Sequence, residues 1–267
     1  MQPKHDTMIA RERGSQFHVI NLSAGETLPA SFTSMVSGEG LEPVLVRITG
    51  GCGKIDQAVQ ALLPDFYRGG FQGFKGTLFS GATANFDEAN EYHGFMVTQV
   101  PPLVAEGNRC IALGTTPRTD MMTLDKVHGG VQMNADRTRL DHNYHGIVVV
   151  QQNAADVLDW DGDLRVYLDW MKALQGIGFK VAVTAMNGGG VTKKEIYGAL
   201  QRGIPVIAIE GSLRETDAFI AAFRKGEAKV TGADGEERPV DPALVSIVPI
   251  NDASRLRAAL VARGLIA

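Results

Sequence analysis

Short apolar runs, each followed by glycine and then by a stretch with helical periodicity, recur along the chain and constrain its fold most strongly. The runs are almost continuous in Val, Ile, Leu and Ala, as in strands whose sheet is covered by helices on both faces. We therefore expect an α/β fold with a Rossmann-like, doubly wound, mostly parallel sheet in a single domain, residues 1–267. The expected strands are 17–21, 43–49, 76–80, 109–114, 146–152, 180–186, 205–210 and 245–249, and the expected helices are near 54–63, 93–105, 163–175, 192–202, 215–224 and 254–263.

Two segments do not follow this alternation. Residues 115–142 lack clear periodicity, which predicts a long excursion near the carboxyl ends of the strands, where loops of such length are often functional. Residues 225–242 are charged and rich in turn-forming residues, which predicts an exposed hairpin or a mobile loop. The chain contains no internal repeat and no Pro-rich linker, so the sequence places no domain boundary.

The composition limits which binding partners and which cellular compartment are expected. A formal net charge of −4 gives no electrostatic reason to expect a nucleic acid or an anionic membrane as partner. Cys52 and Cys110 lie in neither a CxxC nor a CxxH arrangement, which argues for a reducing compartment. No segment has a signal-peptide core or the roughly 20 apolar residues of a membrane span. We therefore expect a cytoplasmic protein.

Neither a metal nor a resident cofactor is expected. His142 and His145 lie beside Asp141 and could supply two ligands from one turn. The spacing fixes no third ligand, however, and structural or catalytic zinc needs at least three protein ligands. The predicted ligand is instead a small molecule of nucleotide type.

Small residues follow five of the expected strands at the point where each strand ends. In an open parallel sheet these ends share one edge, where backbone N–H groups and helix N-termini attract phosphate. Neither GxGxxG at the first helix nor GxxxxGK[ST] occurs, which disfavours a standard dinucleotide site and a P-loop. We predict an anion-binding rim built from the loops at 50–53, 80–83, 114–116, 187–190 and 211–212.

The stretch from residue 187 to 217 allows structural roles as well as ligand roles. Thr192, with Glu195 three residues later, can form a capping box at a helix start, which is a sufficient structural role for both. Arg214 is expected in the first turn of a helix, where the dipole disfavours a cation unless a phosphate is bound. The alternative is a surface ion pair between Arg214 and Asp217, which contributes little.

At these residues the chain resembles the SLOG superfamily, in the LSDAT-like branch shared by prokaryotic proteins and the N-terminal homology region of TRPM channels. The resemblance covers residues 40–224, most of the chain. The segments that carry it are PVLVRITGG at 43–51, FYRGG at 66–70, LFSGAT at 78–83, LDHN at 140–143, NGG at 187–189 and GSLRETD at 211–217.

The resemblance implies a Rossmann-like fold that binds, and often senses, nucleotides or derivatives such as relatives of ADP-ribose. Leu213 stands where the family has glycine, and His142 and Tyr144 replace its usual Pro and His. The family's Gly-Val-Met does not follow Thr83. By position, the resemblance implies ligand binding at Gly50, Gly51, Ser80, Gly81, Thr83, Gly114, Asn187, Gly188, Gly189, Gly211, Ser212 and Arg214, to which the loop chemistry adds Thr115 and Thr192.

A more distant resemblance is to the LOG phosphoribohydrolases, whose hallmark is Pro-Gly-Gly-x-Gly-Thr-x-x-Glu. Asn187 replaces the Pro of that motif and Val191 replaces its third Gly. In that group the Glu acts with an upstream Arg at an oxocarbenium-like centre, so Glu195 is the candidate catalytic residue. No convincing upstream Arg is evident, because Lys180 is the nearest basic residue before the motif.

Three functions stay open at this point. The first, which we expect, is binding of a nucleotide-derived ligand in a sensor role. The second is an N-glycosidase acting on a nucleotide. The third is a non-catalytic interaction subunit whose glycine loops pack against a partner. We also expect a homo-oligomer.

Overall fold

The predicted strands assemble into one large sheet in the computed structural model, which describes residues 5–9, 16–21, 28–51, 55–81, 83–86, 92–93, 100–117, 138–140, 146–151 and 160–267. The strands are β1 (His5–Ile9), β2 (Gln16–Asn21), β3 (Val44–Gly50), β4 (Thr77–Gly81), β5 (Thr83–Phe86), β6 (Tyr92–His93), β7 (Ile111–Pro117), β8 (Thr138–Leu140), β9 (Gly146–Gln151), β10 (Lys180–Met186), β11 (Val206–Glu210), β12 (Lys229–Thr231), β13 (Glu237–Pro239) and β14 (Val245–Pro249).

The helices alternate with these strands and bury one face each. They are α1 (Ala30–Val36), α2 (Gln57–Gly70), α3 (Val100–Ala105), α4 (Trp160–Gly176), α5 (Gly190–Gln201), α6 (Arg214–Arg224) and α7 (Ala253–Ala262), with a 3-10 turn at Pro242–Leu244. Within the described part of the chain, no helix is long and apolar enough to cross a membrane.

The main sheet has nine strands among the described residues, in the order β1-β2-β9-β7-β4-β3-β10-β11-β14. All neighbouring pairs are parallel except β1 with β2. From β3 the chain first adds β4, β7 and β9 on one side and then returns to place β10, β11 and β14 on the other side. The sheet is therefore doubly wound, and its topological switch point lies between β3 and β10.

Helices cover both faces of this sheet, as the unbroken apolar strands predict. One apolar core lies under α2, α3 and α7, with Leu63 and Leu256 among its fully buried side chains. The other lies under α1, α4, α5 and α6, with Trp170 and Ile196 fully buried. The α/β, Rossmann-like fold expected from the sequence is confirmed.

Several sequence expectations need correction. Of the helix expected at 93–105, the described residues show Val100–Ala105 as helix, whereas His93 belongs to β6, which pairs antiparallel with β5. The strand expected to end at Gly114 continues to Pro117, because residues 115–117 pair with residues 148–150 of β9. Neither α1 nor the three-stranded sheet of β5, β6 and β8 was expected. The hairpin within 225–242 is confirmed by the antiparallel pair β12 and β13.

Candidate functional site

The switch point brings two of the predicted glycine loops together. Gly50 at the end of β3 is in register with Met186 at the end of β10. The helices that follow these strands, α2 and α5, pack on opposite faces of the sheet, the arrangement that in open α/β sheets directs ligands to this edge. Gly51 packs closely on the opposite loop, because a Cβ added there would lie 2.8 Å from Oδ1 of Asn187.

Asn187 ties the β10 loop to the β11 loop. Its backbone N–H donates to Oγ of Ser212 at 2.8 Å, and its Nδ2 donates to the Ser212 carbonyl at 2.7 Å. Its own carbonyl accepts hydrogen bonds from the backbone N–H and the hydroxyl of Thr216. Asn187 and Ser212 are both buried, so their described contacts hold the two loops side by side.

The two helices that begin at these loops differ from others in how they start. The side chains of Asp56 and Asp252 cap α2 and α7 by accepting backbone hydrogen bonds. By contrast, α5 begins after Gly189 and α6 after Leu213, and neither helix has a side-chain cap among the described residues. In α6 the Thr216 N–H already donates to the Asn187 carbonyl, but the preceding first-turn N–H groups and the helix dipole make such ends favourable places for an anion.

Arg214 places a cation at this pair of helix starts. Its side chain is exposed, and one terminal nitrogen, Nη2, lies 3.3 Å from the position that a Cβ on Gly189 would occupy. Within the described residues no ion pair or hydrogen bond engages its guanidinium. The alternative pair with Asp217 is not formed, since Asp217 accepts the backbone N–H groups of Gly211 and Leu213 instead.

Leu213 has a backbone conformation suited to glycine. Its φ is 71° and its ψ is 177°, a region that is essentially restricted to glycine. Arg214 follows with a φ of 58°. Asp217 stabilises this turn through the two backbone hydrogen bonds, and the Leu213 side chain remains 46% exposed. The leucine therefore preserves the glycine geometry at a cost in strain.

A buried ion pair lies beneath the switch point. Arg47 Nε donates to Glu195 Oε1 at 2.9 Å, and Nη2 lies 2.8 Å from the same oxygen. Nη1 donates to Thr115 Oγ1 at 3.3 Å. The guanidinium carbon lies 4.0 Å from the ring centroid of Tyr167 and 5.2 Å from that of Phe79, within cation–π range. Burial alone would lower the pKa of Arg47. The neighbouring acidic groups raise this pKa by more than burial lowers it, so the net pKa lies above its ordinary value and the guanidinium is charged.

Both carboxylate oxygens of Glu195 accept hydrogen bonds from residues far away in the chain. The hydroxyl of Tyr167 donates to Oε1 at 2.5 Å, and the hydroxyl of Thr49 donates to Oε2. The side chain is only 3% exposed. Because burial disfavours the phenolate, and the Glu195 carboxylate accepts a hydrogen bond from the neutral phenol, the pKa of Tyr167 is well above its ordinary value.

The predicted capping box is wrong. The helix begins at Gly190, two residues earlier than expected, so Thr192 and Glu195 lie inside its first two turns. Both side chains are buried and point to β3, where Thr49 Oγ1 lies 3.4 Å from Thr192 Oγ1. Contacts with the sheet have overridden the local capping pattern.

A second carboxyl group completes this buried cluster. Asp163 of α4 is 3% exposed, and its Oδ1 has no hydrogen-bond partner among the described residues. Burial raises the pKa of Asp163 to about 7; Arg47 and a hydrogen bond with Thr115 oppose the shift, and Glu195 adds to it.

Of the remaining predicted site residues, some lie inside strands, some lie at strand ends and some lie outside the described part of the chain. Ser80 is buried and donates to the Ile48 carbonyl at 2.9 Å. Gly81 and Thr115 are partners in the register of β4 and β7, and Gly114 lies inside β7, where it pairs with Ser80, so it is not at a strand exit. Thr83 belongs to β5 and pairs with Leu140. The metal candidates Asp141, His142 and His145 lie outside the described residues.

Sequence reasoning missed Arg47, Asp163 and Tyr167. Arg47 carried a usable signal, because a charged residue within an apolar strand must be paired when both sheet faces are covered. Asp163 and Tyr167 are one helical turn apart, a spacing that places them on the same helix face. Glu195 therefore has an arginine partner, Arg47, that stands 148 residues before it in the chain.

No family model matches the chain, and no curated protein matches it. Among solved structures, the fold is similar to that of the structural-genomics target TM1055, with 18% identity over 81% of this chain and 99% of that chain and a TM-score of 0.46. It is also similar to two structures of the molybdenum cofactor carrier protein from Chlamydomonas reinhardtii. The first is 13% identical, over 82% of this chain and 97% of that chain, with a TM-score of 0.44. The second is 14% identical, over 82% of this chain and 96% of that chain, with a TM-score of 0.46. These likenesses concern the fold alone.

Proposed function

We propose that the chain binds a nucleotide or a nucleotide-derived ligand, such as a relative of ADP-ribose, through its phosphates at the switch point. The observation that carries this proposal is the pair of adjacent helix starts, α5 and α6, with no side-chain cap in the described structure. The exposed guanidinium of Arg214 lies between them, next to Gly189. Backbone N–H groups and an arginine fork are what a phosphate requires.

The glycines of the β10 loop support close approach of such a ligand to the backbone. A Cβ added at Gly190, the first residue of α5, would meet no described atom within 4 Å, so this side of the helix start is open. At Gly189 the only described neighbour of an added Cβ is the Arg214 guanidinium itself. A phosphate here would contact N–H groups and the guanidinium together.

The contacts of Glu195 favour binding over N-glycoside hydrolysis. Cleavage would require this carboxylate to reach the anomeric carbon of the sugar. Its two oxygens instead accept hydrogen bonds from Arg47, Tyr167 and Thr49 in a buried cluster below the loops. We therefore propose a sensor role in which the ligand is bound without turnover. The homo-oligomer and the cytoplasmic location stay predictions.

The replacement of Arg214 with Ala tests this proposal. We expect the dissociation constant for ADP-ribose, measured by isothermal titration calorimetry, to rise by a factor corresponding to roughly 1.5–3 kcal/mol, the range for a hydrogen bond to a charged group. The melting temperature should stay unchanged, because the side chain is exposed. Lys225→Ala is the matched control, since it removes one exposed cation at the other end of the same helix. A lower melting temperature with unchanged affinity would make Arg214 a structural residue.

Turnover is tested separately by incubating the wild-type protein with AMP and separating free adenine by chromatography. The binding proposal expects no adenine above the level of a protein-free control. Adenine release that disappears in Glu195→Gln, in protein shown to be folded, would assign the chain to the N-glycosidases instead.

A further inference from the structure

The buried cluster beneath α5 has an excess of acidic groups. Asp163 and Glu195 contribute two carboxyl groups, and Arg47 contributes one guanidinium. With Asp163 protonated the cluster is neutral, and with Asp163 ionised it carries one net negative charge. Since the pKa of Asp163 is raised to about 7, mainly by burial, both states are populated near neutral pH.

The groups that face Asp163 come from each element packed around it. Among the described residues they are Arg47 on β3, Glu195 on α5, Thr115 on β7 and, one turn along its own helix, Tyr167. Glu195 is held by Arg47, Thr49 and Tyr167 together, whereas Asp163 Oδ1 has no partner in the described structure. Asp163 is therefore the group in the cluster that gains or loses a proton.

The cluster lies directly below the start of α5. The Thr49 hydroxyl contacts Thr192 and Glu195 together, which joins the cluster to the first two turns of that helix. Glu195 is five residues after Gly190, an axial rise of about 7.5 Å at 1.5 Å per residue. A phosphate at the helix start and the Glu195 end of the cluster would thus be about 10 Å apart, close enough for a unit charge to act at an effective dielectric constant of about 20.

We propose that binding of a phosphate-bearing ligand at the start of α5 is coupled to uptake of one proton from solvent by the Asp163 carboxylate. The ligand's negative charge disfavours the ionised cluster, and by linkage the ionised cluster disfavours the ligand. The site is therefore a proton-linked anion site that binds more tightly as pH falls through neutrality. This inference rests on the proposed function.

The size of the coupling follows from the separation. A unit charge about 10 Å away at an effective dielectric constant of about 20 changes an equilibrium roughly tenfold. Asp163 ionises around pH 7, and ionisation is taken to weaken ligand binding tenfold. The ligand dissociation constant should then rise about fivefold between about pH 6 and about pH 8. Binding at about pH 7 should take up about 0.4 proton.

The experiment is calorimetric titration with ADP-ribose at about pH 6, 7 and 8, each in two buffers of different ionisation enthalpy. ADP-ribose suits this test because both of its phosphates keep one charge across the neutral range. Proton uptake is obtained from the difference in apparent enthalpy between the buffers. Asp163→Asn mimics the protonated carboxyl, and Asp161→Asn is the matched control, because Asp161 is an exposed acid in the same helical turn that pairs with Lys194.

We expect Asp163→Asn to bind at about pH 8 as tightly as the wild type binds at about pH 6, with no coupled proton. Asp161→Asn should keep the wild-type pH dependence. The six histidines also titrate in this range, so a pH dependence that persists in Asp163→Asn would overturn the inference in their favour. Equal wild-type affinity at all three pH values would overturn the inference and leave the proposed function standing. No binding at any pH would refute both.

Discussion

Replacing Asp163 with Asn should stabilise the fold at neutral pH and much less in acid. Burial raises the pKa of this carboxyl from its ordinary value of 3.8 to about 7 in the folded protein. Between these values the unfolded chain has lost the proton and the folded protein retains it. The contribution of Asp163 to the free energy of unfolding is thus most favourable below about pH 4, where the carboxyl is protonated in both states. This contribution is lost as the pH rises to about 7.

The magnitude follows from this interval, since one pKa unit corresponds to about 1.36 kcal/mol. Above about pH 7 the ionised carboxyl lowers the free energy of unfolding by about 4 kcal/mol, and at about pH 5 by less than about 2 kcal/mol. Asn has nearly the same shape and carries no charge. The gain on substitution should therefore more than double between about pH 5 and about pH 8.

The assay is urea unfolding of both proteins at these two pH values, followed by tryptophan fluorescence, to which the buried Trp170 and the exposed Trp160 both contribute. Asp161→Asn serves as the control and should change the free energy of unfolding little, because its carboxylate is half-exposed. The reasoning is refuted if Asp163→Asn is less stable than the wild type at about pH 8, which would mean that the carboxylate is stabilised by Arg47 more than burial disfavours it.

Three further substitutions test the loops and the ion pair by urea unfolding. Glu195→Gln removes the carboxylate that pairs directly with the buried Arg47 and should cost about 3–5 kcal/mol. Most of this loss should be recovered in the double variant Arg47→Met, Glu195→Leu. Full stability of the single variant would contradict the pairing. Leu213→Gly should stabilise by about 1 kcal/mol by relieving the backbone strain, and a loss would show that its partly exposed side chain matters more. Gly188→Ala should destabilise by at least about 1 kcal/mol, because φ is 81° and the new Cβ would lie 2.2 Å from Thr192 Oγ1; unchanged stability would show that the loop rearranges freely.

The sequence by itself indicated the parallel strands of the main sheet and predicted the sheet edge at which a ligand would bind. The strands at 180–186 and 245–249 are observed as predicted, because apolar runs of that length signal burial on both faces. The rim also follows from local information, since parallel strands share one carboxyl edge. The loops at Asn187 and Gly211 could therefore be assigned to one site from the chain order alone.

Only the tertiary structure decided how this edge is supported. Arg47 and Glu195 are far apart in the chain and meet because β10 returns to pair with β3. The same return sets the start of α5 at Gly190, since Thr192 and Glu195 gain partners on β3 that a local capping box cannot match. The packing of the whole core decides which strands are neighbours. The strand order therefore cannot be inferred from the local sequence pattern. The ionisable group with the most consequence for pH, Asp163, is accordingly visible only once α4 lies against that sheet.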